Sequence, residues 1–141
     1  MKKSVRVCAL LLALFCVCST SLSVLALEEP PITVTPLYTG LVNVQAYLSI
    51  SGSGKASCTA SARLRSGYTG TVTMELQRST NKTSWSTIQP WTSSGSGTVE
   101  LSKSYYVTPG YYYQVYVTVQ VKTTSGSYVE TAYKTSVSVT Y

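Results

Sequence analysis

From Leu41 onward, apolar and polar residues alternate with a period of two. In Lys55 to Arg65, the residues Ala56, Cys58, Ala60, Ala62 and Leu64 share one face, and Ser57, Thr59, Ser61, Arg63 and Arg65 share the other. Thr71 to Ser79 sets Val72, Met74 and Leu76 inward against Thr73, Glu75 and Gln77. Tyr111 to Lys122 carries the strongest signal, with Tyr113, Val115, Val117, Val119 and Val121 opposite Tyr112, Gln114, Tyr116, Thr118 and Gln120. Leu41 to Ser51 and Thr98 to Lys103 read the same way, the latter with Val99 and Leu101 inward. A short strand is predicted over Trp85 to Trp91, broken by Pro90, and a last one over Tyr128 to Tyr141, where Val137, Val139 and Tyr141 alternate with Ser136, Ser138 and Thr140. Turn-forming clusters at 51–54, 66–70, 80–83, 93–97 and 123–127 separate the runs. One apolar face per strand is the pattern of half-buried antiparallel sheet. About seven such strands, with turns at intervals of about 8–12 residues, predict one all-β domain at 41–141, an antiparallel two-sheet sandwich. No helical period and no internal repeat is found past residue 26.

The first 26 residues read differently. Lys2, Lys3 and Arg6 precede an apolar run from Val7 to Val17, and Val24-Leu25-Ala26 follows. This is a signal-peptide pattern with cleavage expected after Ala26, which predicts a secreted, extracellular protein. The apolar core is shorter than the roughly 20 residues that span a bilayer, so no stable membrane span is expected after cleavage. Neither Cys16, after Phe15, nor Cys18, after Val17, has the small preceding residue of a lipoprotein site. Residues 27–40, with Pro30, Pro31 and Pro36, read as an extended segment with a brief edge strand at Ile32 to Thr35. Cys8, Cys16 and Cys18 leave with the leader, so Cys58 has no intrachain partner. It fits either a buried thiol, given its small inward neighbours, or a bridge between chains. An exported domain held by its core alone is more typical of bacterial export.

Composition then narrows the chemistry. The chain has no histidine. That removes Ser-His and Cys-His pairs and the commonest zinc ligand. It also has no Asp, which disfavours an oxygen-rich calcium loop. No catalytic, metal or cofactor residues are assigned, and the expectation is a protein that is not an enzyme. Glu75, Glu100 and Glu130 fall on outward strand positions, which is the ordinary solvated pattern, although two of them could in principle form a glycosidase pair. Without the leader, eight basic residues face five glutamates. The basic residues are scattered, without the aromatic-interleaved runs of a nucleic-acid binder.

Gly54 to Ala60 resembles the second strand of an immunoglobulin or fibronectin type III-like domain. Val72 to Ser79 followed by Trp85 to Ile88 resembles its central hairpin. Thr108-Pro109-Gly110-Tyr111-Tyr112-Tyr113-Gln114-Val115-Tyr116-Val117 resembles the turn and strand that carry a tyrosine corner, for which Tyr113 and Tyr111 both qualify. The layout of leader, Pro-bearing stretch and one such domain is similar to small secreted proteins of unknown function from Gram-positive bacteria. The resemblance implies a fold and carries no catalytic or binding residue across.

The positive signal is aromatic: twelve Tyr and two Trp in a Ser/Thr/Gly background, the composition of a binding surface. Trp85, Trp91, Tyr105, Tyr106, Tyr112 and Tyr116 are the candidate ligand-binding residues. The same rings also fit structural roles, Trp85 as a core tryptophan and Tyr112 and Tyr116 as cross-strand pairs. The expected function is a secreted, non-catalytic binding or adhesion module for a cell-envelope polymer, glycan or protein. The alternatives are a self-assembling extracellular subunit that exchanges the Tyr128 to Tyr141 strand and a membrane-active hairpin over Val115 to Tyr141.

Overall fold

The computed structural model describes residues 37–141. The predicted leader and the expected edge strand at Ile32 to Thr35 lie outside the described residues. Every regular element among the described residues is a strand. In chain order they are β1 (Leu41–Ile50), β2 (Lys55–Leu64), β3 (Tyr68–Ser79), β4 (Ser86–Ser96), β5 (Thr98–Tyr106), β6 (Tyr112–Thr123), β7 (Tyr128–Thr135) and the short β8 (Val139–Thr140). One antiparallel sheet has the order β1-β2-β5. The other has the order β4-β3-β6-β7, with β8 also paired to β6.

The protein is therefore an all-β, two-sheet antiparallel sandwich. An antibody constant-type domain sets its fourth strand beside its fifth. Here β4 pairs with β3 instead. The chain changes sheet at Gly97, the single residue between β4 and β5, where φ is 69°. A residue without Cβ adopts that turn without strain, and Leu64 N–H fastens it by donating to the Gly97 carbonyl at 2.6 Å.

The core follows the alternation. Ala56, Cys58, Ala60, Ala62 and Leu64 of β2 are buried, as are Val72, Met74 and Leu76 of β3, Val99 and Leu101 of β5, and Tyr113 and Val115 through Val121 at alternate positions of β6. Small residues on β2 oppose larger ones on β3 and β6, which suits close approach of the two sheets. Each fully buried valine contributes roughly 1.5–3 kcal/mol relative to exposure. The Cys58 thiol is fully buried, and burial pushes its pKa up to about 11.

The edge strands depart from the sequence expectations. β4 runs through Pro90 to Ser96 rather than stopping at Trp91, and Ser93 to Ser96 pair with β3 instead of turning. Only β3 flanks β4, and a sheet edge is where a missing N–H is tolerated. The expected Tyr128 to Tyr141 strand is split. Ser136 donates its N–H to the Val115 carbonyl at 2.9 Å, while its Oγ accepts the Val115 N–H at 2.9 Å. A side chain thus takes a ladder acceptor's place, and the chain bulges out with Val137 exposed before β8 resumes the pairing.

Glu130 also corrects its expected outward position. It pairs with the inward-facing Val121 and turns toward the start of β1. Its Oε2 accepts the Thr39 N–H at 2.9 Å, and its Oε1 accepts those of Gly40 and Leu41 at 2.8 and 2.9 Å. Partial burial raises the carboxyl's pKa. The three backbone bonds and the nearby Arg65 charge outweigh that and hold it below its ordinary value.

Candidate binding site at the tyrosine-corner end

The end of β3 pairs with the start of β6 and with the start of β4, and the end of β5 pairs with the start of β2. The turn 51–54, the loop 80–85 and the crossover 107–111 therefore all lie at one end of the sandwich. Val107 N–H ties two of them together by donating to the Gly54 carbonyl at 2.9 Å. The crossover is pinned by Tyr113, which is only 1% exposed. Its hydroxyl donates to the Thr108 carbonyl at 2.6 Å. Of the two tyrosines that fit the corner motif, Tyr113 is the one that makes it.

Tyr113 positions the next ring outward. Tyr111 meets it edge-on, with centroids 6.3 Å apart and planes at 66°. Over the Tyr111 ring lies Arg78, its guanidinium carbon 4.8 Å from the centroid. Arg78 pairs with Tyr113 across the β3–β6 ladder. It therefore continues the inward register of Val72, Met74 and Leu76, one step past the end of the apolar core. A cation at a core-side position, held over an aromatic face, is stabilised by cation–π attraction of about 0.5–1 kcal/mol at an exposed site.

Arg78 lines two clefts. One, of about 240 Å³, is lined by Arg78, Ile88, Tyr105, Tyr106, Val107, Thr108 and Tyr113. The other, of about 270 Å³, is lined by Arg78, Ser79, Thr80, Ser84, Ser86 and Tyr111. The loop beside the second cleft is ordered by side chains. Ser79 Oγ accepts the N–H groups of Asn81 and Lys82, and Asn81 Oδ1 accepts those of Thr83 and Ser84. The Lys82 ammonium then rests 4.5 Å from the Tyr112 ring centroid, and Trp85 donates its indole N–H to the Lys82 carbonyl at 3.2 Å.

Basic side chains gather at this end, beside the Tyr141 main-chain carboxyl, which accepts the Gly110 N–H at 2.6 Å. Lys55 begins β2 opposite Tyr106, Lys103 lies on β5 opposite Cys58, and Arg78 and Lys82 flank the second cleft and its loop. The three glutamates among the described residues are placed elsewhere. Glu130 holds the start of β1. Glu100 lies on the outer face of the three-stranded sheet opposite Ser61. Glu75 lies on the outer face of the other sheet, accepting from Gln77 and Thr87. Glu75 and Glu100 are thus separated by both sheets, a layer about 10 Å thick, and do not flank a common bond. Among the described residues no group of His, Cys, Asp or Glu could hold a metal ion.

The six sequence-predicted aromatics divide. Tyr105 and Tyr106 line the first cleft. Trp85 and Tyr112 belong to the same end through the Lys82 loop. Tyr116 lies mid-strand on the outer face, stacked on Tyr133 with centroids 6.1 Å apart. Trp91 pairs with the buried Met74 and packs against the core, so the core-side tryptophan is Trp91 and not Trp85. The sequence reading missed Arg78, Tyr111 and Ile88. The available signal was the β3 alternation itself, which reaches Arg78 at an inward position.

Fold and site together define an all-β sandwich with a basic, aromatic end. The chain matches no protein-family model, and no curated protein matches it.

Proposed function

We propose that this chain is a secreted, non-catalytic binding or adhesion module that engages a cell-envelope polymer, glycan or protein through its tyrosine-corner end. The observation that carries this reading is the pair of clefts around Arg78, with Tyr105 and Tyr106 presented beside them on a rigid corner. Rigid aromatic rings give contact area at low entropic cost, and the neighbouring Ser and Thr hydroxyls supply adaptable hydrogen bonds. The test is co-sedimentation of protein collected from the medium of an expressing host with bacterial cell envelopes and insoluble polysaccharides. Saturable binding that is lost in a Tyr105→Ala/Tyr106→Ala variant of unchanged thermal stability supports the reading. Absence of the protein from the medium, or binding that is unaffected by both substitutions, refutes it.

Strand exchange has weaker support, because the Ser136 bulge interrupts the β7–β8 edge that would be donated. The membrane hairpin has weaker support still. Val115, Val117, Val119 and Val121 are fully buried between the sheets, so exposing them to lipid would dismantle the core.

A further inference from the structure

We infer that the ligand at this end is an anionic saccharide, with its acid group on Arg78 and its ring face on Tyr105 or Tyr106. This inference rests on the binding-module reading above and names the chemistry of its ligand. Three observations carry it. First, Arg78 occupies a core-side register position, and among the described residues its partner is the Tyr111 ring rather than a carboxylate. No hydrogen bond to an acceptor among the described residues occupies its N–H donors, whose fork matches a carboxylate or phosphate. Second, the guanidinium is positioned before any ligand arrives. The buried Tyr113 fixes the crossover, Tyr111 stands against Tyr113, and Arg78 lies on Tyr111. Preorganisation of this kind reduces the ordering cost of binding.

Third, the surroundings of Arg78 select a sugar acid over a bare anion. The two clefts it lines, about 240 and 270 Å³, differ in chemistry. One presents the Tyr105 and Tyr106 rings, the latter 70% exposed. The other presents the hydroxyls of Ser84, Ser86 and Thr80. Flat aromatic faces beside hydroxyl donors and acceptors suit a pyranose with its equatorial hydroxyls. Lys55, Lys82 and Lys103 add a positive field that attracts a repeating polyanion at low salt.

The acid could be a carboxylate or a phosphate, and the assay separates them. Binding of the full exported chain to a uronic-acid oligosaccharide and to a phosphorylated mannan is measured by calorimetry, with neutral galactan and mannan as controls. Arg78→Gln, Arg78→Lys and Lys122→Gln are compared with the unchanged protein. Lys122 lies at the opposite end of β3 and β6, paired with Thr69. At least one acidic saccharide is expected to bind, more weakly as salt rises. Arg78→Gln is expected to weaken it about tenfold to a hundredfold, the range for losing a charged hydrogen-bonding group. Arg78→Lys should fall between, and Lys122→Gln should stay within about twofold of the parent. Preference for the uronic acid assigns a carboxylate, and preference for the phosphomannan assigns a phosphate. Equal binding of neutral and acidic forms, or equal losses in Arg78→Gln and Lys122→Gln, overturns the inference and leaves the module reading intact. So does envelope binding with no saccharide binding at all. Failure of both assays overturns inference and module together.

Discussion

Replacing Glu130 with Gln should destabilise the domain in a pH-dependent way. The carboxylate accepts three backbone N–H bonds from consecutive residues at the entry to β1, at 2.8–2.9 Å. Hydrogen bonds to a charged group contribute about 1.5–3 kcal/mol each when isolated. They are not additive here, because the Thr39 bond is exposed and one carboxylate is shared. Gln keeps one acceptor and turns an NH2 group toward N–H donors, so about 2 kcal/mol is the expected loss at neutral pH. For a domain of this size that corresponds to roughly 8–12 °C in Tm.

The pH dependence has a definite sign. The folded-state pKa of Glu130 is depressed, so its contribution is full above the unfolded value of about 4.3 and is lost as pH falls through the folded value. Urea denaturation from pH 7 down to pH 2 therefore shows a wide gap between parent and Glu130→Gln that closes on acidification. Amide exchange at Thr39, Gly40 and Leu41 accelerates in the variant at pH 7. A gap that persists unchanged at pH 2, or no gap at pH 7, would refute the argument that the ionised carboxylate fastens the β1 entry.

Tyr113→Phe removes the 2.6 Å corner bond and should cost about 1–2 kcal/mol by denaturant titration, while loosening the Tyr111–Arg78 stack above it. Cys58 should resist alkylation at pH 8 in the folded protein and react fully in denaturant, since its thiol is buried with a pKa of about 11. Rapid labelling without unfolding would contradict that burial. Gly54→Ala should lower stability by about 2 kcal/mol or more, because φ is +81° and an added Cβ would stand 2.9 Å from the Val107 carbonyl and 3.0 Å from the Tyr141 ring. A Tm within 2 °C of the parent would show that this turn relaxes freely.

The strands flanked on both sides were the most legible in the sequence. β2, β3 and β6 are flanked on both sides and buried on one face, so a one-residue slip would expose a full row of valine or alanine. Their faces were readable residue by residue. β4 and β7 each have one neighbour strand, and there local chemistry overrides alternation: Pro90 is absorbed at an edge, and the Ser136 side chain substitutes for a backbone acceptor. Glu130 misled for the same reason. A carboxylate on a strand reads as solvated unless the backbone that reaches it, 90 residues away in sequence, is already placed. At the site, composition pointed to tyrosine but could not divide twelve of them between core and surface. Tyr105 shows why. It pairs with the fully buried Ala56, yet it stands past the end of the core and lines a cleft instead.

The long edges of the sandwich bear on how such a module meets its surroundings. Lys103 pairs with buried Cys58 and Lys134 pairs with buried Val117, so both lysines occupy inward register positions on the edge strands β5 and β7. Both are nonetheless exposed, which requires their ammonium groups to reach past the rim into water. An incoming strand laid against either edge would cover that charge and strip its hydration, a recognised defence against edge-to-edge pairing. The β5 and β7 edges are thereby discouraged from joining other chains. On the binding reading proposed above, that leaves the tyrosine-corner end, where Arg78 and Lys82 stand beside open aromatic rings, as the surface for recognition.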